Sequence, residues 1–379
     1  MRIVQISPLT ERVPPPAYGG TEAVVHALTE GLVVRGHEVV LFASGDSLTS
    51  AELRSVYPRS LRTAPEVVDP VPYEWLNAAE ALAAASDFDI IHNHAGELPM
   101  ALSRLTRTPM LSTLHGLMPP GARVVWDYYQ GFYNTISRAF LRTMPLEIAR
   151  RNYVGVVYNG IDVAAFPFRE RKEDYLLFLS RLAPEKGAHL AIEVARRLRQ
   201  PLILAGKVDR VDVDYFRTMI EPLLGDHLIR YVGEVTREQA KALYVGARAL
   251  LLPIEWEEPF GLVMPEAMAT GTPVIAFRRG AAPELIVDGE TGFLVEDGDV
   301  DGMAAAVDRV GALDPRHIRR HVEEHFSVDR MVDGYLRLYE RVLFQARRRA
   351  ASIYVGERTG RGQEPLPRRR PEGGLGKAG

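Results

Sequence analysis

The sequence predicts an α/β protein made of two doubly wound parallel-sheet units that face each other across a cleft. Three observations carry this expectation. Short apolar runs alternate with amphipathic stretches along nearly the whole chain, the pattern of repeated βαβ units. The pattern breaks once, in the charged and proline-containing stretch at 162–173, and then starts again. A length of 379 residues is long for one domain and comfortable for two.

The elements follow in order. MRIVQIS opens with a strand at 3–7. A helix at 21–35 comes next: Thr21 is expected to cap it, Ala23, Val24, Ala27, Leu28, Gly31 and Leu32 form a helical stripe, and Gly36 ends it. Further strands are expected at 38–43, 90–92, 110–114, 133–136 and 154–157. After the break the strands fall at 175–180, 202–205, 229–232, 249–252, 273–277 and 293–295, with helices at 188–199, 237–246 and 300–310 between them. This divides the chain into a first domain at 1–161 and a second at 162–327, with a long helix at 328–348 packing back on the first. Residues 356–379 are rich in Gly, Pro and Arg and are expected to be disordered.

Composition narrows the chemistry. The formal charge of -3 gives no general attraction to nucleic acid or membrane. Cysteine is absent, which excludes disulfides, thiolate metal sites and cysteine nucleophiles. No apolar run approaches the ~20 residues of a membrane helix, and no signal peptide is visible, so a cytoplasmic location is expected.

Two carboxylates carry the most chemical information. Glu258 and Glu266 lie in WEEPFGLVMPEAMATGTPVIAF, where a strand leads through a polar turn into a helix expected to open at Phe260-Gly261 and close at Gly271. One acid stands before that helix and the other about one turn inside it. Between them are backbone N–H groups without intrahelical partners, which suit an anion. Acids beside an anion site suit a ligand with both phosphate and hydroxyl groups, and a nucleotide sugar is the candidate. The first loop, SPLTERVPPPAYGGTEAVVHAL, brings Gly19 and Gly20 to a second helix start, and it fits neither a Walker loop nor GxGxxG. Either a plain turn or an anion-facing loop satisfies it. Arg181 and Lys186 in SRLAPEKGAHL follow a strand and precede a helix, where they could clamp a diphosphate or stand solvated. Lys207 in LAGKVDR is a further possible phosphate or sugar contact.

Three histidines close strands in the first half. His92 and His94 share a face of their strand, but no third metal ligand has suitable spacing, so no metal is expected. His115, followed by Gly116, is placed to face the cleft, and His37 reads as structural.

Taken together, YGGTE, DIIHNH, STLHG, VYNGID, SRLAPEKG, VGEV, EPFGLVMPEAMATGTPVIAF and PELIVDGETGFLV, in this order, resemble glycosyltransferase family 4 over about residues 1–345. The resemblance implies the GT-B fold, two Rossmann-like domains around an interdomain cleft, and a retaining, nucleotide-sugar-dependent enzyme without a bound metal or other cofactor. It implies that Glu258 sits near the donor sugar, that Glu266 binds ribose hydroxyls, and that Arg181 and Lys186 hold the diphosphate with amides of Gly19 and Gly20. It also implies that Phe260, Gly261, Leu262 and Val263 meet sugar and phosphates, that the stretch 232–235, ending at Val235, lies against the base, and that His115 lies beside the transferred sugar. The expected activity is transfer from a UDP-sugar to an acceptor hydroxyl of unspecified class. A phosphorylase or disaccharide synthase on the same scaffold and a non-catalytic nucleotide-sugar sensor are the alternatives. The short linker at 119–130 leaves few residues for an acceptor pocket, so the first loop, with Pro14, Pro15 and Pro16, is expected to shape it.

Overall fold

The computed structural model describes residues 1–119 and 121–358. Two parallel sheets organise them. The first holds β1 (Arg2–Ile6), β2 (Glu38–Phe42), β3 (Glu52–Arg54), β4 (Ile90–Asn93), β5 (Met110–Leu114), β6 (Phe132–Thr135) and β7 (Tyr153–Val156), in the order β3-β2-β1-β4-β5-β6-β7. The second holds β8 (Leu176–Leu179), β9 (Leu202–Ala205), β10 (Ile229–Tyr231), β11 (Ala249–Leu252), β12 (Val274–Phe277) and β13 (Gly292–Val295), in the order β10-β9-β8-β11-β12-β13. Each sheet therefore reverses its winding once, between β1 and β4 in the first and between β8 and β11 in the second. Ligands of such sheets bind at these reversals, beyond the carboxyl ends of the strands.

Successive strand residues serve opposite layers, which is why the strands read as continuous apolar runs. Ile3, Ile90, Leu111 and Phe132 face Val24, Leu28 and Leu32 of the helix Gly20–Val34, and Tyr335 and Tyr339 of the last helix, Val328–Arg358. Their neighbours Val4, Ile91, Met110 and Tyr133 face Met100 and Trp126 on the other side. In the second sheet, Leu176, Phe178 and Leu251 pack on Ile192 and Met303, while Leu177, Leu250 and Ala276 pack on Met264, Met268 and Ile318. Gly31 sits where a Cβ would come within 2.5 Å of Val332, so the two helices of the first layer touch backbone to side chain. Between the two domains, the carboxylate of Glu284 accepts from the N–H groups of Arg138 (2.9 Å) and Ala139 (2.5 Å) and from the Tyr158 hydroxyl (2.9 Å). An acid near the second sheet thus caps a helix belonging to the first.

Several expectations need correction. The strand β3 is absent from the sequence reading because ELR has charged ends and lies half-exposed at the sheet edge, without an apolar run. Thr21 does not cap the first helix, which starts at Gly20 and takes Gly19 as its cap residue, leaving Thr21 already inside the first turn. The helix after Glu258 begins at Val263 rather than at Phe260-Gly261, because Gly261 has φ 80°, outside the helical region. The stretch 119–130 contains a short helix, Arg123–Tyr128, anchored by the buried Trp126. Of the expected disordered tail, residues 356–358 are the end of the last helix, and the remainder lies outside the described residues.

Candidate active site

The loops after β1 and β5 of the first sheet and after β8, β9 and β11 of the second converge on one cavity of about 510 Å³, a size typical of ligand sites. Gly19, Gly20 and His115 line it from the first sheet. Arg181, Lys186, Val235, Glu258, Phe260, Gly261, Leu262, Val263 and Glu266 line it from the second, as does Lys207. Of the stretch 232–235, Glu234 and Val235 reach the wall. His37 stands elsewhere, against the chain's amino terminus, 3.1 Å from its nitrogen.

The backbone explains why glycines occupy the first loop. Gly19 has φ 144°, and a Cβ there would lie 2.6 Å from Pro15, so the proline-stiffened loop can fold over the helix start only without a side chain. Neither the helix Gly20–Val34 nor the helix Val263–Ala269 has a side-chain cap. At the cavity wall this leaves the N–H groups of Gly20 and Thr21 in the first helix, but only that of Val263 in the second, where Met264 donates to the Gly261 carbonyl (3.0 Å), Glu266 to the Leu262 carbonyl (3.0 Å), and Pro265 has no N–H.

The charged residues are held in pairs. Lys186 Nζ donates to Glu258 Oε2 and stands 4.6 Å from the ring centre of Trp256, whose indole N–H donates to the same oxygen at 2.8 Å. Arg181 lines the cavity, but its terminal nitrogens are engaged by Glu185 and by Asp212 (2.8 Å), with Asp209 at 3.7 Å. Its guanidinium is thus not the unencumbered diphosphate fork the sequence suggested, because three acids from neighbouring turns reach it first. Lys207 bonds to Asp209 at 3.0 Å and lies 4.1 Å from the ring centre of Tyr18. Glu266 is buried, which raises its pKa against the opposing pull of Arg237, Tyr244 and Lys241. The Tyr244 hydroxyl donates to Glu266 at 3.0 Å, and Arg237 lies 3.9 Å away. One oxygen of each acid is therefore fixed by an aromatic donor.

The histidines form a ladder behind the first wall. His115 Nε2 lies 2.9 Å from His94 Nδ1, and His94 Nε2 lies 2.8 Å from Gln5 Oε1. With Gln5 accepting from His94, His94 accepts from His115, which leaves His115 Nδ1 as its second ring nitrogen. Burial lowers the pKa of His115 to about 4 and that of His94 well below the usual value, so both are neutral near pH 7. His92 bonds to Tyr339 (2.7 Å) and Thr113 (2.6 Å) and does not line the cavity. Among the described residues no group of three or more His, Cys, Asp or Glu side chains is placed to hold a metal ion. Trp256, Tyr244 and Arg237 line the cavity and were not assigned from sequence, and His94 supports His115 from behind the wall. Of the three unassigned wall residues, Trp256 carried a signal, standing two residues before Glu258.

Comparison with known proteins identifies the family and the fold. Residues 18–165 match the family model "Glycosyltransferase Family 4" and residues 163–323 match "Glycosyl transferases group 1", so the two run without a gap from 18 to 323. The chain is 28% identical to a glycogen synthase of Mycobacterium tuberculosis, covering 81% of this chain and 85% of that protein. It is 29% identical to a phosphatidyl-myo-inositol mannosyltransferase of Mycolicibacterium smegmatis, covering 84% and 86%. Among solved structures, HepE of Anabaena in complex with UDP superposes with a TM-score of 0.69 at 18% identity, over 90% of this chain and 100% of that one. The protein is a glycosyltransferase of the GT-B fold and belongs to the family 4 group.

Proposed function

We propose that the enzyme transfers a sugar from a nucleoside diphosphate donor, with UDP the favoured nucleotide, to an acceptor hydroxyl with retention of anomeric configuration and without a resident metal ion. The carrying observation is one cavity in which two acids, Glu258 and Glu266, meet the cations Lys186 and Lys207 and two uncapped helix starts. The second domain takes the donor and the first domain the acceptor. A solved structure of the same fold with UDP bound supports UDP as the nucleotide to test first.

Breaking the bond between the anomeric carbon and phosphate oxygen leaves the electron pair on the diphosphate and positive charge on the sugar. Lys186, Lys207 and the N–H groups of Gly20, Thr21 and Val263 stabilise that leaving group, with Arg181 adding its charge from behind Asp212 and Glu185. The diphosphate competes with Glu258 for Lys186, which frees a Glu258 oxygen for the sugar. Glu266, steadied by Tyr244, accepts from ribose hydroxyls. Neutral His115 exchanges a hydrogen bond with a sugar hydroxyl. The acceptor oxygen attacks on the face the diphosphate leaves, and its proton passes to the departing phosphate oxygen. A double displacement would instead need a carboxylate on the opposite face.

A panel of UDP-, ADP- and GDP-sugars read by thermal shift tests the assignment. A ligand at one hundred times its Kd stabilises by about 2.7 kcal/mol. UDP-sugars are expected to raise Tm, chelator treatment to leave the rate unchanged, and the product's anomeric proton to show retention. The donor reading fails if no nucleotide sugar stabilises the protein. Inversion, or a sugar ester trapped on Asp or Glu, overturns the same-face mechanism. Release of sugar 1-phosphate in phosphate buffer would return the phosphorylase alternative.

A further inference from the structure

We propose that the face built from residues 104–151 of the first domain docks onto an anionic lipid bilayer. Given the transferase reading above, this would hold the cleft beside a membrane-borne acceptor. The overall charge of -3 conceals a local excess: between 102 and 151 the chain carries seven arginines, no lysine, and only Asp127 and Glu147 as acids. Both acids are already neutralised. Arg123 pairs with Asp127 (3.0 Å) and Glu147 (2.9 Å), and Arg151 approaches Asp127 at 3.5 Å. These pairs also hold the helices Arg123–Tyr128 and Leu146–Ala149 side by side. Arg104, Arg107, Arg142 and Arg150 are exposed and in no ion pair among the described residues.

Apolar side chains stand among these arginines instead of turning inward. Leu105, Val124 and Leu146 are 79%, 72% and 70% exposed, and Tyr128 is 55% exposed. Val124 and Tyr128 are one turn apart and share a helix face, and Arg104 lies over the Tyr128 ring at 4.8 Å, joining Leu105 to it. Single exposed leucines are ordinary, but several beside unpaired arginines form a surface that water solvates poorly. An anionic bilayer satisfies both halves: headgroups take the arginines while apolar tips and the tyrosine enter the interface. A second copy of the chain would bring like charges together, and a nucleic acid would leave the leucines in water. The exposed apolar residues Val68, Val71 and Leu76 lie near Glu66 and Asp69, the wrong sign for such a surface. The loop leaving His115 passes exposed Leu117 into the helix Arg123–Tyr128, so the docking face adjoins the first domain's wall of the cleft. No helix among the described residues is long and apolar enough to cross a membrane, so the contact is peripheral.

Co-sedimentation of the full chain with phosphatidylcholine vesicles, with and without phosphatidylglycerol, tests the proposal. The protein should pellet with the phosphatidylglycerol vesicles and be released by salt. The paired change Arg104→Glu with Arg107→Glu should weaken vesicle partitioning about thirtyfold or more. Val124→Ser with Leu146→Ser should weaken it severalfold, with Tm and UDP-induced stabilisation unchanged in both variants. Equal pelleting with the two vesicle types overturns docking. So does undiminished binding by either variant, or equal retention on duplex DNA. UDP stabilisation reads the donor site separately, so vesicle binding without any nucleotide effect would leave docking standing and the transferase reading failed.

Discussion

Lys186 and Glu258 face each other beneath the indole of Trp256, joining the loop after β8 to the loop after β11 across the winding reversal of the second sheet. Their side chains are only 12% and 14% exposed. Losing one partner would leave a nearly buried charge uncompensated, at about 3 kcal/mol, the low end for such pairs. Lys186→Met should therefore lower Tm by several degrees, and adding Glu258→Gln should recover most of that loss without restoring transfer. Chemical denaturation of the two single variants and the double variant checks this. Additive losses would show that the pair is not energetically coupled.

Glu258→Gln alone keeps the shape and can still accept from Trp256, but it removes the charge beside the developing cationic sugar. It should lower kcat about a hundredfold or more, as for other preorganised electrostatic contacts, and change KM little. Steady-state kinetics with the best donor of the panel measures it. A variant retaining full kcat would remove Glu258 from the chemistry.

Tyr244→Phe deletes the hydroxyl that holds Glu266 at 3.0 Å. A hydrogen bond to a charged group contributes ~1.5–3 kcal/mol. UDP affinity should fall by ten- to a hundredfold if Glu266 binds the ribose, whereas an inorganic diphosphate probe should bind as before. Isothermal titration with both ligands separates these outcomes.

Glu22 gives a pH prediction with a defined sign. Burial, with Glu11 and Glu74 nearby, raises its pKa from 4.5 to about 7. Because the folded state holds this proton more tightly, the stability it contributes is complete below its ordinary pKa near 4.5 and is lost as pH rises through about 7. Glu22→Gln should therefore raise stability at pH 8 relative to pH 5, by up to about 3 kcal/mol. The buried His92, His94 and His115 act in the opposite sense, losing stability as pH falls below their ordinary value of 6.5. The difference between variant and wild type isolates Glu22. An equal Tm shift at both pH values would refute the assignment.

Much of the cavity wall was readable because its residues sit in continuous segments at strand ends. Arg181 and Lys186 follow β8 directly, and Glu258 through Glu266 span the turn after β11, so local pattern placed them on the correct edge of the sheet. What local pattern could not show is who holds whom. Arg181 looked free until Asp212, thirty-one positions away, was brought to 2.8 Å. The grip of Tyr244 on Glu266, the support of His94 and Gln5 behind His115, and the seat of His92 against Tyr339 each join residues far apart in the chain.

By itself the order of residues determined the apolar strands, though not the edge strand β3, and with them the two parallel units and the loops that face the cleft, because apolar periodicity and glycine placement act over a few neighbouring positions. Only the tertiary structure decided which charges are already partnered, which histidine reaches the cavity, and which arginines and leucines are left together on one outer face. Those outcomes depend on burial and on distances between segments that meet only when both sheets are packed.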